Sequence, residues 1–458
     1  MSDTLILPCE TRVRELDAKL LLACHAVERG YRVIVGWKRL IDLNARWLPR
    51  GIYVGKSVTN RNLMLYRIMR RLGHVVTAWD EEGLVYASKQ VYHRTKVGRE
   101  ALNEPRCLFA WGDANAEAWR DYPGFDDGPI RAVGNPRADL LRPELRGYFH
   151  EQADALCAEH GEFILVNTNF SRLNHYYAWQ SRQRRLLEDG GGAITDEADP
   201  RLGWAAHKSA LFEHFLEMVP AVAKRFPETT LVVRPHPSEN AQAWKDVTVD
   251  CPNVRVVHAG NVAAWLQAAR VTVHNGCTTA VESFLLDRTA LAYQPVTSAA
   301  YDHPLPNDLS VQAASLDSLC DRIDQALGGD DGVTDAGRTT RHALARHHIA
   351  SFDAAPACEQ ILDALEAYRV PNSGRRPAAA LSSRLAGFAV AEARALFKRT
   401  AGLIPNNPNH ADYLRHMFAP ISAPEVATTV ERFGALLGGF DGIRVRPWAE
   451  NVFMLSRP

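Results

Sequence analysis

The sequence predicts an α/β protein of two successive domains, and two observations carry this prediction. Short β-rich runs alternate with helical stretches along most of the chain, and the alternation occurs in two series, the second of which starts near Glu162. Strands that are linked through helices in this way form parallel sheets. The length of 458 residues also suits two domains.

The first series shows the pattern in its simplest form. Apolar residues between positions 17 and 29 fall on one helical face, Gly30 stands where a helix ends, and YRVIVGW (31–37) follows as a buried strand. We therefore assign residues 1–150 to an N-terminal Rossmann-like domain. The same order recurs in helix 61–72, Gly73 and strand HVVTAW (74–79), followed by strand CLFAWGD (107–113) and by IRAVGNPR (130–137), which ends in turn residues.

The second series repeats the alternation and predicts a second Rossmann-like domain, over residues 151–370. Helices are predicted at 205–225 and 262–269. In sheets of this type ligands bind beyond the carboxyl ends of the strands, so we expect the ligand in a cleft between the two domains. The strands are FILVN (163–167), TLVVR (230–234), VRVVH (254–258), VTVHN (271–275) and TALAY (289–293).

Two segments depart from the alternation. Residues 172–199 are polar and end in EDGGGAITDEAD, so we expect a mobile loop or lid beside the site. Residues 330–341 are typical of a surface turn region.

Residues 371–458 are predicted to form a helical tail, after a helix near 356–367 and the linker VPNSGRRPAAA. We expect this tail to pack back on the core. The alternative is a patch that holds the protein against an anionic membrane leaflet. The apolar residues of the tail are Leu381, Leu385, Phe388 and Leu396, and its basic residues are Arg375, Arg376, Arg384, Arg394, Lys398 and Arg399.

Composition excludes several classes of function. Because 53 acidic residues balance 53 basic ones, a dedicated nucleic-acid binder is not expected. The eight cysteines are scattered, without metal-binding spacing, as in a reducing compartment. No stretch approaches the ~18 uncharged residues of a membrane span, and the apolar core at the start is too short for a signal peptide. We expect a cytoplasmic protein.

Three consecutive acids, Asp80, Glu81 and Glu82, are candidates for catalysis. The pattern of two acids followed by glycine occurs here and again at 126–128, 188–190 and 330–332. Only the first directly follows a buried strand, so only it is placed by a rigid element at the functional edge of a sheet. A solvated surface turn is the alternative interpretation.

The motif RPHP is the first candidate for phosphate binding. It comprises Arg234, His236 and Pro237 at the end of strand 230–234, whereas the second His-Pro, at His303, lies in a proline-rich loop. Arg234 can grip a phosphate through paired hydrogen bonds, and His236 can donate another to the departing oxygen. A structural histidine that bonds a loop carbonyl is the alternative.

The segment after strand 271–275 is the second candidate for anion binding. Asn275 and Gly276 form a turn, and Thr278 and Thr279 open a helix whose first N–H groups attract negative charge. Glu282 would complete a capping interaction or reach a ribose hydroxyl. Simple capping by the threonines is the alternative.

Two further observations concern sugar and metal binding. Asn167 and Asn169 follow the first strand of the second domain and suit hydrogen bonding to a sugar or a base, with loop capping as the alternative. No D-x-D motif occurs, so the usual carboxylate grip on a metal-bound nucleotide diphosphate is missing. We therefore expect no metal and no cofactor.

The ordered set of motifs resembles known families. An acidic D/E-D/E-G after an N-domain strand, His-Pro after a C-domain strand and a hydroxyl pair at a later helix start are similar to the bacterial sialyltransferases and capsule Kdo transferases. These are GT-B glycosyltransferases that use CMP-activated ulosonic acids. The first 175 residues also resemble the bacterial surface carbohydrate biosynthesis protein family, through TRVRELDAKLLLA, RGYRVIVG, LPRGIYVGKS, WDEEGLVY, FAWGD, GNPRADLLRP and FILVNTNF.

This resemblance implies a GT-B fold and a role for each motif. It also implies that the N-terminal domain, residues 1–150, binds the acceptor and that the C-terminal domain, residues 151–370, binds the nucleotide sugar. Glu81, flanked by two further acids, would activate the acceptor hydroxyl, and crowding by those acids would raise the pKa of Glu81 towards neutrality. His236 would contact the CMP phosphate, and Thr278 with Thr279 would bind that same phosphate. Candidates for binding the donor or acceptor sugar are Arg12, Asn167 and Asn169.

The predicted function is that of a cytoplasmic, metal-independent glycosyltransferase, placed at the inner face of the inner membrane if its acceptor glycan is lipid-linked. Retaining Kdo transferases need a second carboxylate near the start of the C-domain, where this chain reads NTNFSRLN. We therefore expect inversion, with a carboxylate from another loop, such as Asp139, as the alternative. Rival functions are a CDP-glycerol or UDP-sugar transferase, a nucleotide-sugar epimerase, and a non-catalytic glycan-assembly subunit.

Overall fold

The computed structural model describes residues 3–189, 200–369, 380–404, 407, 409–410, 415 and 418–458. The chain forms two compact units. The first unit comprises Met1–Leu84, Lys89–Tyr148 and Ala345–Pro458, and the second comprises Val85–Ser88 and Phe149–Leu344. Residues 345–370 thus belong to the first unit, whereas the sequence analysis grouped them with the second domain.

The first unit is built on an eight-stranded sheet. Its strands are β1 (Thr4–Cys9), β2 (Arg32–Trp37), β3 (Gly51–Gly55), β4 (Val75–Trp79), β5 (Leu108–Ala110), β6 (Ile130–Ala132), β13 (Arg444–Ala449) and β14 (Val452–Ser456). Their order across the sheet is β13-β14-β2-β1-β3-β4-β5-β6, and β1 to β6 are parallel. Sequence reasoning missed β1, whose run TLILPC is buried at every position, as expected of a central parallel strand.

The helices of the first unit cover its parallel strands. Gly30 and Gly73 end the first and third helices with φ of +82° and +92°, a conformation that glycine adopts without strain. A π-helical turn (Arg12–Leu16) and two 3₁₀ turns (Ala45–Trp47 and Pro143–Phe149) complete the unit. The helices are α1 (Asp17–Glu28), α2 (Lys38–Leu43), α3 (Asn60–Arg71), α4 (Lys89–Lys96), α5 (Arg99–Asn103), α6 (Asp113–Arg120), α7 (Pro136–Asp139), α17 (Ala357–Glu366), α18 (Leu381–Ala401) and α19 (Ala423–Leu437).

The end of the chain contains strands as well as the predicted helices. β13 and β14 form an antiparallel hairpin, and β14 pairs antiparallel with β2, so the hairpin extends the sheet of the first unit. The predicted linker residues 371–379, with Arg375 and Arg376, lie outside the described residues. The described residues of the tail, 380–404, 407, 409–410, 415 and 418–458, belong to the first unit.

Asp139 explains why the segment around α17 belongs to the first unit. Its buried carboxylate accepts the backbone N–H groups of Ala357 at 2.8 Å and Cys358 at 2.7 Å. These are N–H groups of the first turn of α17, which have no partner within the helix. Asp139 therefore caps α17 across more than two hundred residues of sequence.

The second unit is built on a six-stranded parallel sheet in the order β12-β11-β10-β7-β8-β9. The predicted helix near 205–225 forms its longest helix. Its strands are β7 (Phe163–Asn167), β8 (Thr230–Arg234), β9 (Val254–Val256), β10 (Val271–His274), β11 (Ala290–Tyr293) and β12 (Val311–Ala313). Its helices are α8 (His150–His160), α9 (Arg182–Asp189), α10 (Pro200–Arg225), α11 (Gln242–Val247), α12 (Val262–Ala268), α13 (Thr278–Leu285), α14 (Pro304–Asp308), α15 (Leu316–Leu327) and most of α16 (Asp335–His348).

Two segments differ from their predicted irregular structure. Residues 172–189 contain a 3₁₀ turn (Ala178–Gln180) and the helix α9, while the rest of the predicted lid, 190–199, lies outside the described residues. The predicted turn region at 330–341 contains the start of α16. Within the described residues, no helix is both long enough and apolar enough to cross a membrane.

Candidate functional site

The three consecutive acids follow β4 as predicted, but their side chains have three different environments. Asp80 is buried, with Oδ2 accepting the Tyr92 hydroxyl at 2.8 Å and Oδ1 accepting the Glu82 N–H at 3.2 Å. Burial raises the pKa of Asp80 to about 6. Glu82 is exposed and pairs with Arg14 at 2.8 Å. Asp80 therefore closes the turn, and Glu82 lies at the surface.

Glu81 combines one fixed carboxylate oxygen with one that lacks a partner. Its Oε1 accepts hydrogen bonds from the Trp79 indole at 2.8 Å and from the Lys19 ammonium at 2.8 Å. Its Oε2 is buried and has no hydrogen-bond partner among the residues that the structure describes. Trp79 and Lys19 thus fix the position of the carboxylate, while Oε2 keeps an unused acceptor position.

Lys19 is the residue that holds Glu81, and sequence reasoning missed it. Its ammonium is buried and donates to Glu15 Oε2 at 2.7 Å, Glu81 Oε1 at 2.8 Å and the Pro8 carbonyl at 2.8 Å. All three N–H bonds are therefore used. We call Glu15, Lys19 and Glu81 the ion cluster.

The ion cluster reverses the expected ionisation of Glu81. Burial favours the neutral acid, but Lys19, Arg137 and Lys56 together lower the pKa of Glu81 below its usual value. The predicted rise through crowding by neighbouring acids is therefore wrong, because Asp80 and Glu82 bond elsewhere. Glu81 is therefore ionised at neutral pH, and its lowered pKa makes it a weaker base than an ordinary glutamate.

Arg12 is engaged by the end of the chain. Its guanidinium pairs with Glu425 at 3.2 Å and bonds the carbonyl oxygens of Ala419 and Pro420. These contacts fasten the segment before α19 to the turn that precedes α1. The predicted role of Arg12 in sugar binding stays a prediction.

In the second unit, three candidate residues lie at the carboxyl ends of adjacent strands. The register of the sheet pairs Asn167 with Arg234 on one side and with His274 on the other, and Asn275 follows His274. All three candidates are buried. We call Asn167, Arg234 and Asn275 the strand-end cluster.

The strand-end cluster carries unpaired polar atoms. The Nδ2 of Asn167, the Nε of Arg234 and both side-chain polar atoms of Asn275 have no hydrogen-bond partner among the described residues. Each such buried group costs roughly 1–3 kcal/mol unless a ligand or water bonds it. Burial lowers the pKa of Arg234 to about 10, so its guanidinium is still charged at neutral pH.

The first turn of α13 is open to an anion. Its N-cap residue Cys277 makes no side-chain capping bond, and the Thr279 hydroxyl contacts the Cys277 sulfur at 2.7 Å. Thr278 and Thr279 are partly exposed. Side-chain capping therefore does not account for the two threonines. Glu282, one turn further, lies close enough to Arg234 to support its positive charge.

His236 is held in one orientation. Its backbone N–H donates to Glu239 at 3.3 Å, and its ring Nδ1 accepts the Ser238 N–H at 3.2 Å. A neutral ring with Nδ1 as acceptor carries its proton on Nε2, which is the donor that the predicted role requires. The neighbouring Pro237 is exposed, as is Asn169 after β7.

Glu239 connects the loops after β7 and β8, and sequence reasoning missed it. Its buried carboxylate accepts hydrogen bonds from the Thr168 hydroxyl at 2.9 Å, the Phe170 N–H at 2.7 Å and the Trp244 indole at 3.3 Å, besides the His236 N–H. Burial raises the pKa of Glu239 to about 7. Glu239 therefore positions the neighbours of the strand-end cluster.

His303 and Lys208 also belong near the Asn275 turn. The Nδ1 of His303 bonds the carbonyl of Gly276 at 2.7 Å, and Gly276 has a φ of +79° that other residues rarely adopt. Burial and then Lys208 lower the pKa of His303 to about 4. The proline-rich loop therefore brings His303 to the turn after β10, although the sequence analysis favoured only His236.

Comparison with known proteins shows the fold class. No protein-family model and no curated protein matches the chain. A candidate UDP-N-acetylglucosamine 2-epimerase from Listeria monocytogenes matches with a TM-score of 0.51 and 12% identity, over 82% of this chain and 98% of that chain. This likeness confirms the predicted two-domain GT-B fold. The resemblance to CMP-sugar transferases and to the surface carbohydrate family stays a prediction.

Two further solved structures are similar at lower scores. The UDP-GlcNAc 2-epimerase of Methanocaldococcus jannaschii, in complex with UDP-GlcNAc and UDP, has a TM-score of 0.48 and 12% identity, covering 80% of this chain and 100% of that chain. The wall teichoic acid polymerase TagF has a TM-score of 0.49 and 10% identity, covering 80% of this chain and 89% of that chain.

Replacing Lys19 with Met is expected to destabilise the first unit by about 3–5 kcal/mol, because it leaves two buried carboxylates without their cation. Adding Glu15→Gln to Lys19→Met should restore part of the loss. Lys89→Met, which removes a surface pair with Asp121, should cost about 1 kcal/mol or less. Urea unfolding of the variants measures these differences; equal losses for the two lysines would contradict the assignment.

Replacing Glu239 with Gln tests the raised pKa. The folded protein binds a proton at Glu239 that the unfolded chain has lost between its ordinary value of 4.5 and about 7. Native stability should therefore fall, relative to Glu239→Gln, as the pH rises through this range, by on the order of 1–3 kcal/mol. Urea unfolding at both ends of the range measures it, and parallel pH profiles for the two proteins would refute it.

Proposed function

We propose that this protein is a glycosyltransferase that moves an ulosonic acid from a CMP donor onto a bacterial surface glycan. The observation that supports it best is the strand-end cluster, whose unpartnered polar atoms need a polar ligand. In this proposal the cluster and the first turn of α13 bind the donor. Asn167 and Asn169 bond its sugar or base.

The proposed reaction is a single displacement. The acceptor hydroxyl oxygen attacks the anomeric carbon while the bond from that carbon to the phosphate oxygen breaks. CMP leaves with the bonding electrons, and the hydroxyl proton passes to Oε2 of Glu81, the oxygen without a partner. Arg234, His236 and the amide groups at the start of α13 balance the charge of the leaving phosphate. The scheme uses no metal ion and no cofactor.

The environment of Asp139 supports inversion of configuration. A retaining mechanism through a covalent intermediate needs a second carboxylate as nucleophile. Asp139 was the alternative source, but both of its oxygens accept N–H groups of α17. A carboxylate occupied in this way is a structural cap, which favours the single displacement.

A nucleotide-sugar epimerase is the second candidate. The Listeria protein whose fold this chain shares is a candidate UDP-N-acetylglucosamine epimerase. Epimerisation would use the same strand-end cluster for the nucleotide but would need no acceptor. Dependence on an acceptor therefore separates the two functions.

The acceptor in this proposal is a glycan that is lipid-linked, and the protein acts in the cytoplasm at the inner face of the inner membrane. The balance of 53 acidic and 53 basic residues does not favour nucleic acid as a partner.

CMP and CDP are expected to raise the melting temperature of the protein, whereas UDP is not. Saturation at a hundred times the dissociation constant corresponds to about 2.7 kcal/mol of stabilisation. Asn275→Ala should abolish the shift, and Asn44→Ala, in the first unit, should retain it. A thermal-shift titration measures this, and a stronger response to UDP would overturn the donor assignment.

Glu81→Gln is expected to abolish acceptor-dependent CMP release, because the amide cannot take the hydroxyl proton. The CMP-induced thermal shift should remain. Glu82→Gln serves as the matched control and should keep most of the activity, since Glu82 pairs with Arg14 at the surface. Full glycan production by the Glu81 variant would instead indicate a non-catalytic assembly subunit.

A further inference from the structure

The helix α18 packs on the first unit through its small residues. Gly387, Ala391 and Ala395 are buried on this side. A Cβ atom built on Gly387 would lie 2.8 Å from the Cβ of Arg71, so α18 approaches the end of α3 closely. An amphipathic helix normally buries large apolar residues on the side that faces the protein. The buried side of α18 carries glycine and alanine instead.

The large apolar residues of α18 face outward instead. Leu381, Leu385, Leu396 and Phe397 are 70%, 62%, 60% and 70% exposed, respectively. The spacing of residues 381, 385, 388 and 396 places them on one side of the helix. We call the following exposed residues the α18 outer face: Leu381, Leu385, Ala386, Phe388, Ala389, Ala393, Leu396 and Phe397.

An exposed tryptophan enlarges this surface. Trp47 is 61% exposed, and its ring meets that of Phe388 edge to face at a centroid distance of 5.8 Å. The guanidinium of Arg46 lies 5.2 Å from the Trp47 ring. Contiguous exposed apolar surface of this kind marks a contact with another molecule.

The charge around the α18 outer face is positive. Residues 381–404 contain four basic residues and one acid, Glu392, which pairs with Arg46. Two of the basic residues, Arg394 and Lys398, are half-buried, and Arg394 pairs with Asp42 at 3.7 Å. Arg384 and Arg399 are exposed. This local excess contrasts with the zero net charge of the whole chain.

We propose that the α18 outer face binds the surface of an anionic lipid bilayer. Large apolar side chains would enter the boundary between headgroups and acyl chains, and the basic residues would contact anionic headgroups. Tryptophan is favoured at that depth, which suits Trp47. The positive charge favours anionic lipid over a second copy of this chain, which would bring like charges together. This inference rests on the proposed function, because membrane binding would bring the protein to a lipid-linked acceptor.

Sedimentation with lipid vesicles tests the surface without any nucleotide or acceptor. The full-length protein should bind vesicles of phosphatidylcholine mixed with phosphatidylglycerol, and should bind pure phosphatidylcholine vesicles less. The double variant Leu385→Ser with Phe397→Ser should lower binding by about tenfold or more. Val249→Ser, at an exposed position of the second unit, should leave binding unchanged.

Failure of this inference is distinguishable from failure of the proposed function. Absence of vesicle binding, or equal binding by the double variant, would overturn the surface even if CMP still stabilised the protein. An oligomer that the double variant converts to monomer would assign the face to a second copy and would also overturn it. Vesicle binding together with a stronger thermal response to UDP than to CMP would support the lipid-binding surface and overturn the assignment of a CMP donor.

Discussion

The buried ammonium of Lys19 is the contact on which the proposed chemistry of the first unit depends. One cation serves two carboxylates, Glu15 and Glu81, and its third N–H reaches the Pro8 carbonyl near the end of β1. Burial of two carboxylates is tolerable only with such a partner. The same contact fixes Oε1 of Glu81 and, together with Arg137 and Lys56, keeps the group ionised, while Oε2 accepts no hydrogen bond from the described residues. A structural ion pair and the proposed proton acceptor are thus parts of one arrangement.

In the second unit, too, some buried polar groups are fully hydrogen-bonded within the protein and others are not. Glu239 uses its carboxylate fully and joins two loops, whereas the strand-end cluster directly beside those loops contains atoms without partners. A protein optimised for stability alone would not retain unpaired buried amides. In the strand-end cluster these atoms lie together at the carboxyl ends of adjacent parallel strands, which is the edge of such a sheet where ligands bind.

Sequence patterns predicted the parts of this structure that depend on local periodicity. The helix at α1, the strands β2 and β4, and the positions of Glu81, Arg234 and Asn275 after strands all follow from spacing and glycine placement. Contacts between distant residues could not be read in this way. Lys19 looks like an ordinary helical lysine, and Glu239 looks like a loop acid, because their partners come from other elements. For the same reason the predicted direction of the pKa shift of Glu81 was wrong. The acids next to it are evident in the sequence, whereas its pairing with Lys19 is not.

The tail shows how the same pattern can have two opposite meanings. A helix with apolar and basic residues at regular spacing fits a core helix as well as an interfacial one. The arrangement around Gly387 decides between them, because its close approach to α3 commits the small-residue side of α18 to the protein. Once that side is buried, the leucines and phenylalanines on the other side stay exposed, which is the surface that an interfacial helix presents to a bilayer. The packing of the small residues of α18 against the first unit is therefore what leaves its large apolar residues exposed.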